Sequence, residues 1–431
     1  MKKVDFLIIG GSAAGTTAAE VIRSLLGESS ITIITEEDHE FYSRILLPNY
    51  IRGDIPKEKI FLKKPEWYQE RRIDLIKNVK AMKLNANDHT VACSNGEFYS
   101  YSKLLLALGV GPIRLNVSGS NLKNISYLRN LDDAEEIIAS VAGAKVAVVV
   151  GGGFIGLEYI SCLVAKGVGT TILDGSQYYW GNRLDRESSQ ILQNVIEANG
   201  VAVVVGDQVD KFIEKGNGTG TVGGVVSKSG RIFPCDMVGI GIGIKSDLAW
   251  LEGSGLKIDQ GIVTNEYLET NLGDVYGAGD CANFYDLTIE SDHNVGTWAN
   301  ATLQGRVVGM NMAATPLRSV GQSSEGQGRT AFNSVSSYTT TFFGASCSLI
   351  GMTDESFADE TVSRGSVESG KITRIFIKSI RGTTRIVGAS IINNPAEVSS
   401  LSGAVRKRSD IAKYVDKLSD LNFDLKNLLQ P

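Results

Sequence analysis

The sequence predicts an α/β fold built on two Rossmann-like dinucleotide-binding units, and two observations carry that prediction. In Val4 to Glu20 the apolar run Phe6-Leu7-Ile8-Ile9 ends in Gly10-Gly11-Ser12-Ala13-Ala14-Gly15, and small residues continue through Ala18 and Ala19. A buried strand, a tight glycine turn and a helix start, in that order, suit a dinucleotide pyrophosphate. The second observation is that the pattern recurs. Ala147 to Val150 runs into Gly151-Gly152-Gly153-Phe154-Ile155-Gly156, an unmodified G-x-G-x-x-G. One such loop alone also fits an ordinary strand–helix turn; a pair indicates two nucleotide sites. A flavin in the first and a nicotinamide in the second is the most economical assignment.

Within the first loop, Gly10 permits the turn, and the small Ser12 lets backbone approach phosphate. Ala13 and Ala14 open the helix, whose N-terminus offers free N–H groups to an anion, and Gly15 allows close helix–strand packing. Gly151, Gly153, Phe154, Ile155 and Gly156 hold the equivalent places in the second loop.

At 431 residues the chain has room for about three domains. A hydrophobic content of 42% with 21% charged residues is ordinary for a soluble globular enzyme. A net charge of −5, with no basic arm or zinc spacing, argues against nucleic-acid binding. No apolar segment approaches the ~20 residues of a transmembrane helix. The short apolar run after Met1-Lys2-Lys3 flows into a glycine loop rather than a cleavage site, so a cytoplasmic protein is expected. Cys93, Cys162, Cys235, Cys281 and Cys347 are scattered, without C-x-x-C or metal spacing, and read as buried free thiols.

The elements follow in order. A helix is expected from Thr16 to about Leu26 and a strand over Ile31 to Ile34. A carboxylate after that strand can hold ribose hydroxyls; Glu36 is the choice, Glu37 the alternative, and a solvated acidic pair the plain reading. Phe41-Tyr42-Ser43-Arg44-Ile45-Leu46-Leu47-Pro48-Asn49-Tyr50 comes next.

On these motifs the sequence resembles the two-dinucleotide flavoproteins of the pyridine nucleotide–disulfide oxidoreductase-like superfamily. It is most similar to rubredoxin/ferredoxin reductases, the flavoprotein segment of assimilatory nitrite reductase, and apoptosis-inducing-factor-like proteins. The resemblance implies that Glu36, Tyr42 and Arg44 line the FAD adenosine and pyrophosphate, Arg suiting the pyrophosphate charge. It also shows two departures. Arg44 to Tyr50 holds none of the cysteines that the disulfide-reducing branch places beside the flavin, and Asn49 stands where relatives often carry a flavin-contacting lysine.

Ile60 to Lys77 reads as a polar connecting helix or loop. Tyr101 to Gly109 resembles the strand that carries an Ala-Thr-Gly turn to the FAD, here Ala107-Leu108-Gly109. In the second unit, Glu158 matches the position whose carboxylate lies near the nicotinamide and the flavin's reactive edge. The strand Thr170 to Leu173 ends at Asp174, an acid that binds ribose hydroxyls and repels a 2′-phosphate, favouring NADH over NADPH. Arg183 and Arg186 follow the bulky Tyr178-Tyr179-Trp180. A glycine-rich turn spans Gly216 to Gly224. Met237 to Ile244, with Gly243 in the NAD set, resembles the strand returning to the FAD domain.

Tyr276-Gly277-Ala278-Gly279-Asp280-Cys281 resembles the family's third signature, in which an aspartate, here Asp280, bonds the ribityl chain of FAD. Trp298 opens a helix whose N-terminus points at the flavin in relatives, and it is assigned to the ring's surroundings; a core aromatic is the other reading. His293, just before it, is a minor candidate for an acid near the flavin. Ala313 to Thr330 reads as a linker. Beyond it, strands over Ser337 to Ile350, Arg374 to Lys378 and Arg385 to Ile392, with helices over Ala396 to Val405 and Asp410 to Leu418, resemble the C-terminal α+β domain of ferredoxin-reductase-like flavoproteins.

The expected organisation is an FAD domain (1–112 and 246–325), an inserted NAD domain (113–245) and an acceptor or interface domain (326–431). The implied activity is FAD-dependent NADH:acceptor oxidoreduction without a redox disulfide, passing electrons to rubredoxin, ferredoxin or a partner metalloenzyme. NADH oxidase, quinone reductase and a redox-controlled binding protein are the alternatives. Arg374, Lys378, Arg381, Arg385 and Arg406-Lys407-Arg408 form either a solvated mixed surface or a basic rim for an acidic carrier. A homodimer is compatible with this reading.

Overall fold

The computed structural model describes residues 1–216, 218–314 and 328–430, and the chain divides into two units. One comprises Met1–Ser43, Phe61–Gly111 and Lys245–Ser336; the other comprises Arg44–Ile60, Pro112–Ile244 and Ser337–Pro431. The α-helices are α1 (Ala13–Leu25), α2 (Leu47–Arg52), α3 (Pro65–Glu70), α4 (Leu131–Val141), α5 (Phe154–Ala165), α6 (Arg186–Ala198), α7 (Trp298–Ala314) and α8 (Val398–Lys407). The expected α/β class holds.

In the first unit Lys2–Ile9 lies between Ile31–Ile34 and Phe98–Leu106, parallel to both. Ile9 pairs with Ile34 on one side and Leu106 on the other, so three strands end level and present Gly10, Thr35 and Ala107 along one edge. Ligands of open α/β sheets bind at such carboxyl ends. Alternation along the central strand separates two cores. Phe6 and Ile8 pack with Ala14, Ala18 and Ile22 of α1 and Val308 of α7, whereas Leu7 and Ile9 pack with Leu104, Leu106 and Val275.

Helices α1 and α7 touch where α7 places glycines against the α1 backbone. A Cβ on Gly305 would stand 2.4 Å from the Ala14 carbonyl oxygen, and one on Gly309 would stand 2.9 Å from that of Ala18. Positions four apart on one helix match positions four apart on the other, so the two run in the same direction.

Ile60 to Lys77 departs from expectation: it holds α3 and then the strand Ile73–Ile76, parallel to Ile31–Ile34 at the sheet edge. Four residues, interrupted by the exposed Asp74, are too short to announce a strand.

The second unit centres on a five-stranded parallel sheet, in the order Ala202–Val205, Gly169–Asp174, Val146–Val150, Met237–Ile240, Ile125–Tyr127. Met237–Ile240 therefore belongs to this sheet rather than returning to the first unit. Buried on both faces, its apolar run does not specify which sheet receives it. The turn expected over Gly216 to Gly224 already contains the start of Val222–Ser227, which pairs with Val209–Glu214 and Ile232–Pro234; residue 217 lies outside the described residues.

Ser337–Phe342, Ala345–Gly351, Thr383–Ile392, Lys371–Ile380 and Glu360–Ser366 form an antiparallel sheet in that order, with α8 against it. Glu360–Ser366 was not expected. The helix expected over Asp410 to Leu418 is a 3₁₀ segment, Ala412–Lys417. Residues 315–327 of the expected linker lie outside the described residues. Among the described residues no helix is long and apolar enough to cross a membrane, and no group of three His, Cys, Asp or Glu side chains could hold a metal ion.

Candidate dinucleotide sites

The first loop is tight because its glycines leave no alternative. Gly10 adopts φ +115°, and a Cβ there would stand 2.1 Å from the Ala107 carbonyl oxygen; at Gly15 it would stand 1.9 Å from the Gly10 carbonyl oxygen. Ser12 is the extended N-cap of α1 and makes no side-chain cap bond. Gly153 caps α5 in the same uncapped way. Helices α4 and α6 differ. Asn130 and Asp133 form a capping box on α4, and Asp185 accepts from Glu187 N and Ser188 N on α6. The two glycine-loop helices thus leave their first N–H groups open to an anion, whereas α4 and α6 close theirs with side chains; the shorter α2, α3 and α8 also lack a side-chain cap but follow no glycine loop.

The other FAD candidates of this unit gather near that loop. Gly279 (φ +80°) gives its N–H to Gln304 Oε1 at 2.7 Å, and a Cβ there would stand 3.2 Å from the Ala14 Cβ. The Asp280 turn is thereby held beside the first turn of α1. Because Gly305 lies level with Ala14, the start of α7 at Trp298, seven residues earlier, projects about 10 Å beyond the pyrophosphate end of α1. Both positive helix ends point the same way. Trp298 stacks on Phe41, ring centroids 5.4 Å apart. Ala107 N donates to Ile9 O at 2.8 Å, and Gly109 adopts φ +66°.

The acid after the second strand is displaced from its expected register. Gly10 N bonds Ile34 O and Gly151 N bonds Leu173 O, which makes Thr35 the counterpart of Asp174 and sets Glu36 one residue beyond. Glu36 is exposed and pairs with Lys80 at 3.0 Å; Glu37 accepts from the Tyr42 hydroxyl at 2.5 Å. In the second unit Arg44 Nη1 donates to Arg129 O at 2.7 Å, and Asn49 lies 3.5 Å from Asp54.

Around the second loop, a Cβ on Gly151 would stand 2.3 Å from Gly241 O and one on Gly156 would stand 2.0 Å from Gly151 O. A Cβ on Gly241 would stand 3.0 Å from Ile155, and Gly243 (φ +122°) accepts from Ile113 N at 3.0 Å. Asp174 is buried under the loop, its Oδ1 accepting from Ser176 N (2.9 Å) and its Oδ2 from Trp180 N (2.8 Å). Each oxygen keeps capacity for a ribose hydroxyl. Phe154 packs between Trp180 (4.6 Å) and Tyr338 (4.2 Å), two rings that the sequence did not connect with the loop. Glu158, one turn along α5, is half-buried; burial pushes its carboxyl up to about 7, while the Arg52 charge pulls the other way. Arg183 and Arg186 are exposed.

Thiol and imidazole groups have local partners. Cys281 Sγ lies against the carbonyls of Ala278 and Leu106. Burial pushes Cys93 and Cys281 up to about 11, and Cys162, Cys235 and Cys347 up to about 12, so none supplies thiolate at neutral pH. His293 Nδ1 lies 3.2 Å from Asp286 Oδ2. Of the basic C-terminal residues, Arg374 pairs with Asp185 (3.0 Å) and Glu355 (2.8 Å), and Lys378 donates to Phe357 O. Arg406 and Lys407 are exposed.

Residues 4–305 match the family model described as pyridine nucleotide-disulphide oxidoreductase. The chain belongs to that family. Its members are FAD- and NAD(H)-dependent oxidoreductases, and the two uncapped helix starts and glycine cradles fit both groups. Among relatives, the chain is 28% identical to rhodocoxin reductase of Rhodococcus erythropolis over 98% of its own length and 94% of that protein's. It is 26% identical to nitrite reductase [NAD(P)H] of Bacillus subtilis over 96% of its own length and spans only 48% of that protein. The reductase fold of the putidaredoxin reductase–putidaredoxin complex superposes with a TM-score of 0.87 at 23% identity, covering 100% of this chain and 99% of that one.

Proposed function

We propose that this family member takes electrons from NADH through FAD to a small redox protein or a partner redox enzyme. The observation that carries the proposal is the pair of glycine loops, one in each unit, each opening an uncapped helix, with an acid fixed beneath only the second. The names of relatives that reduce rhodocoxin and rubredoxin support a protein acceptor. FAD supplies the two-electron-to-one-electron exchange such an acceptor needs. The first loop, Tyr42 and Asp280 would hold it, and residues 326–431 would form the acceptor domain. The test is turnover of NADH with O₂, a quinone and a purified iron–sulfur protein. Fastest turnover with the iron–sulfur protein supports the reading; a preference for O₂ or quinone replaces it with an oxidase or quinone reductase.

Asp174 should set nucleotide choice. A 2′-phosphate beside its fixed carboxylate meets like charge, which costs several kcal/mol, so stopped-flow flavin reduction should favour NADH over NADPH about 100-fold. Asp174→Ala should narrow that ratio. Equal rates with wild type would remove Asp174 from the ribose.

Glu158 should set the pH dependence. Its carboxylate form, which can balance the positive charge left on the nicotinamide, fills as pH rises through about 7. NADH-driven flavin reduction should therefore rise on the order of tenfold between pH 6 and 8. In Glu158→Gln the profile should be flat; an unchanged profile would refute the role.

A further inference from the structure

Trp180 holds an unusual place. Its backbone adopts φ +54°, a left-handed conformation that a bulky side chain rarely accepts and that persists only where neighbours enforce it. Two neighbours do so here: Asp174 Oδ2 accepts its N–H at 2.8 Å, and the Phe154 ring packs edge-on against the indole. The ring is consequently buried, yet Nε1 has no acceptor among the described residues and is not sealed from solvent.

The direction of that N–H is informative. The second glycine of a dinucleotide loop lacks a side chain because the pyrophosphate fills the space where a Cβ would stand. At Gly153 that point lies 3.5 Å from Trp180 Nε1, the nearest neighbouring atom, with Cε2 next at 3.8 Å. An indole edge that far from the pyrophosphate position presents a donor to it, and a few tenths of an ångström of approach completes an ordinary N–H···O bond. We propose that Trp180 is a binding residue for the dinucleotide pyrophosphate, its indole N–H supplementing the open N–H groups at the start of α5. The proposal rests on the reading that the second loop holds NADH. It explains why so strained a residue is tied to Asp174: one carboxylate would fix both the ribose and the donor over the phosphates.

The test uses flavin-loaded protein and ADP-ribose, which has the pyrophosphate but no nicotinamide, with affinity read from tryptophan fluorescence or calorimetry. Trp180→Phe keeps a ring against Phe154 and removes the N–H. Affinity for ADP-ribose should fall about 10- to 100-fold, the range for a hydrogen bond to a charged group, while competition by adenosine stays unchanged. Equal affinity for ADP-ribose in the variant would overturn the proposal. So would tighter binding, which would make Trp180 a cover over the loop rather than a donor. Gly156→Ala separates the underlying reading: if that variant binds ADP-ribose normally, the nucleotide is not at this loop at all.

Discussion

Gly15→Ala should purify nearly colourless, whereas Gly156→Ala should purify yellow and fail to bleach with NADH. The two glycines occupy matching places, and in each a methyl group would lie about 2 Å from the carbonyl oxygen of the loop's first glycine, at 1.9 Å and 2.0 Å. No side chain can rotate away from that contact, because the obstructing atom is backbone. Relief requires the helix to lift from its strand, which moves the open N–H groups that would face the pyrophosphate. Overpacking of this kind costs about 3 kcal/mol, equivalent to about 100-fold in affinity. Since the loops lie in different units, the losses should separate. Gly15→Ala should still bind ADP-ribose, and Gly156→Ala should still retain FAD, measured as flavin released on denaturation. The reverse pattern would exchange the two nucleotide assignments. Loss of both cofactors in both variants would mean that the loops support folding rather than separate sites.

Legibility followed burial and local geometry. Ile31–Ile34 is a fully buried apolar run between polar turns, and its expected bounds are those observed. Both glycine loops were readable because the last glycine of each answers a contact within the loop itself, Gly15 with Gly10 and Gly156 with Gly151. Ile73–Ile76 and Glu360–Ser366 were not, since the first is only four residues long and the second is polar-rich, and their pairing partners make them strands. The relation of Thr35 to Asp174 depends on hydrogen-bond register, which a search for acids ignores. Tyr338 reaches Phe154 across 184 positions of sequence (338 minus 154), and no local pattern encodes that contact. Arg374 and Lys378 looked like a shared basic surface only because Asp185, Glu355 and the Phe357 carbonyl were invisible as their partners.

Arg364→Met should destabilise the second unit by about 3–5 kcal/mol while leaving FAD content unchanged. Arg364 sits on the strand Glu360–Ser366 and is only 4% exposed. Its Nε lies 2.9 Å from Glu397 Oε1, an ion pair by distance though not aligned as a hydrogen bond. Its two terminal nitrogens donate to the carbonyls of Leu418 (3.2 Å), Leu421 (3.4 Å) and Phe423 (3.3 Å), so one guanidinium ties the last segment of the chain to the antiparallel sheet. Methionine fills much of the volume but donates nothing. It leaves a buried Glu397 carboxylate, whose Oε2 already has no partner, beside three carbonyls that lose their donor. The circular-dichroism melting temperature should fall by roughly 10 °C. Adding Glu397→Met should recover part of the loss, because replacing both members of a buried pair with apolar side chains removes the uncompensated charge. The carbonyls should keep the recovery incomplete. A single variant that melts within about 2 °C of wild type, or a double variant less stable than the single, would show that Arg364 acts through packing alone.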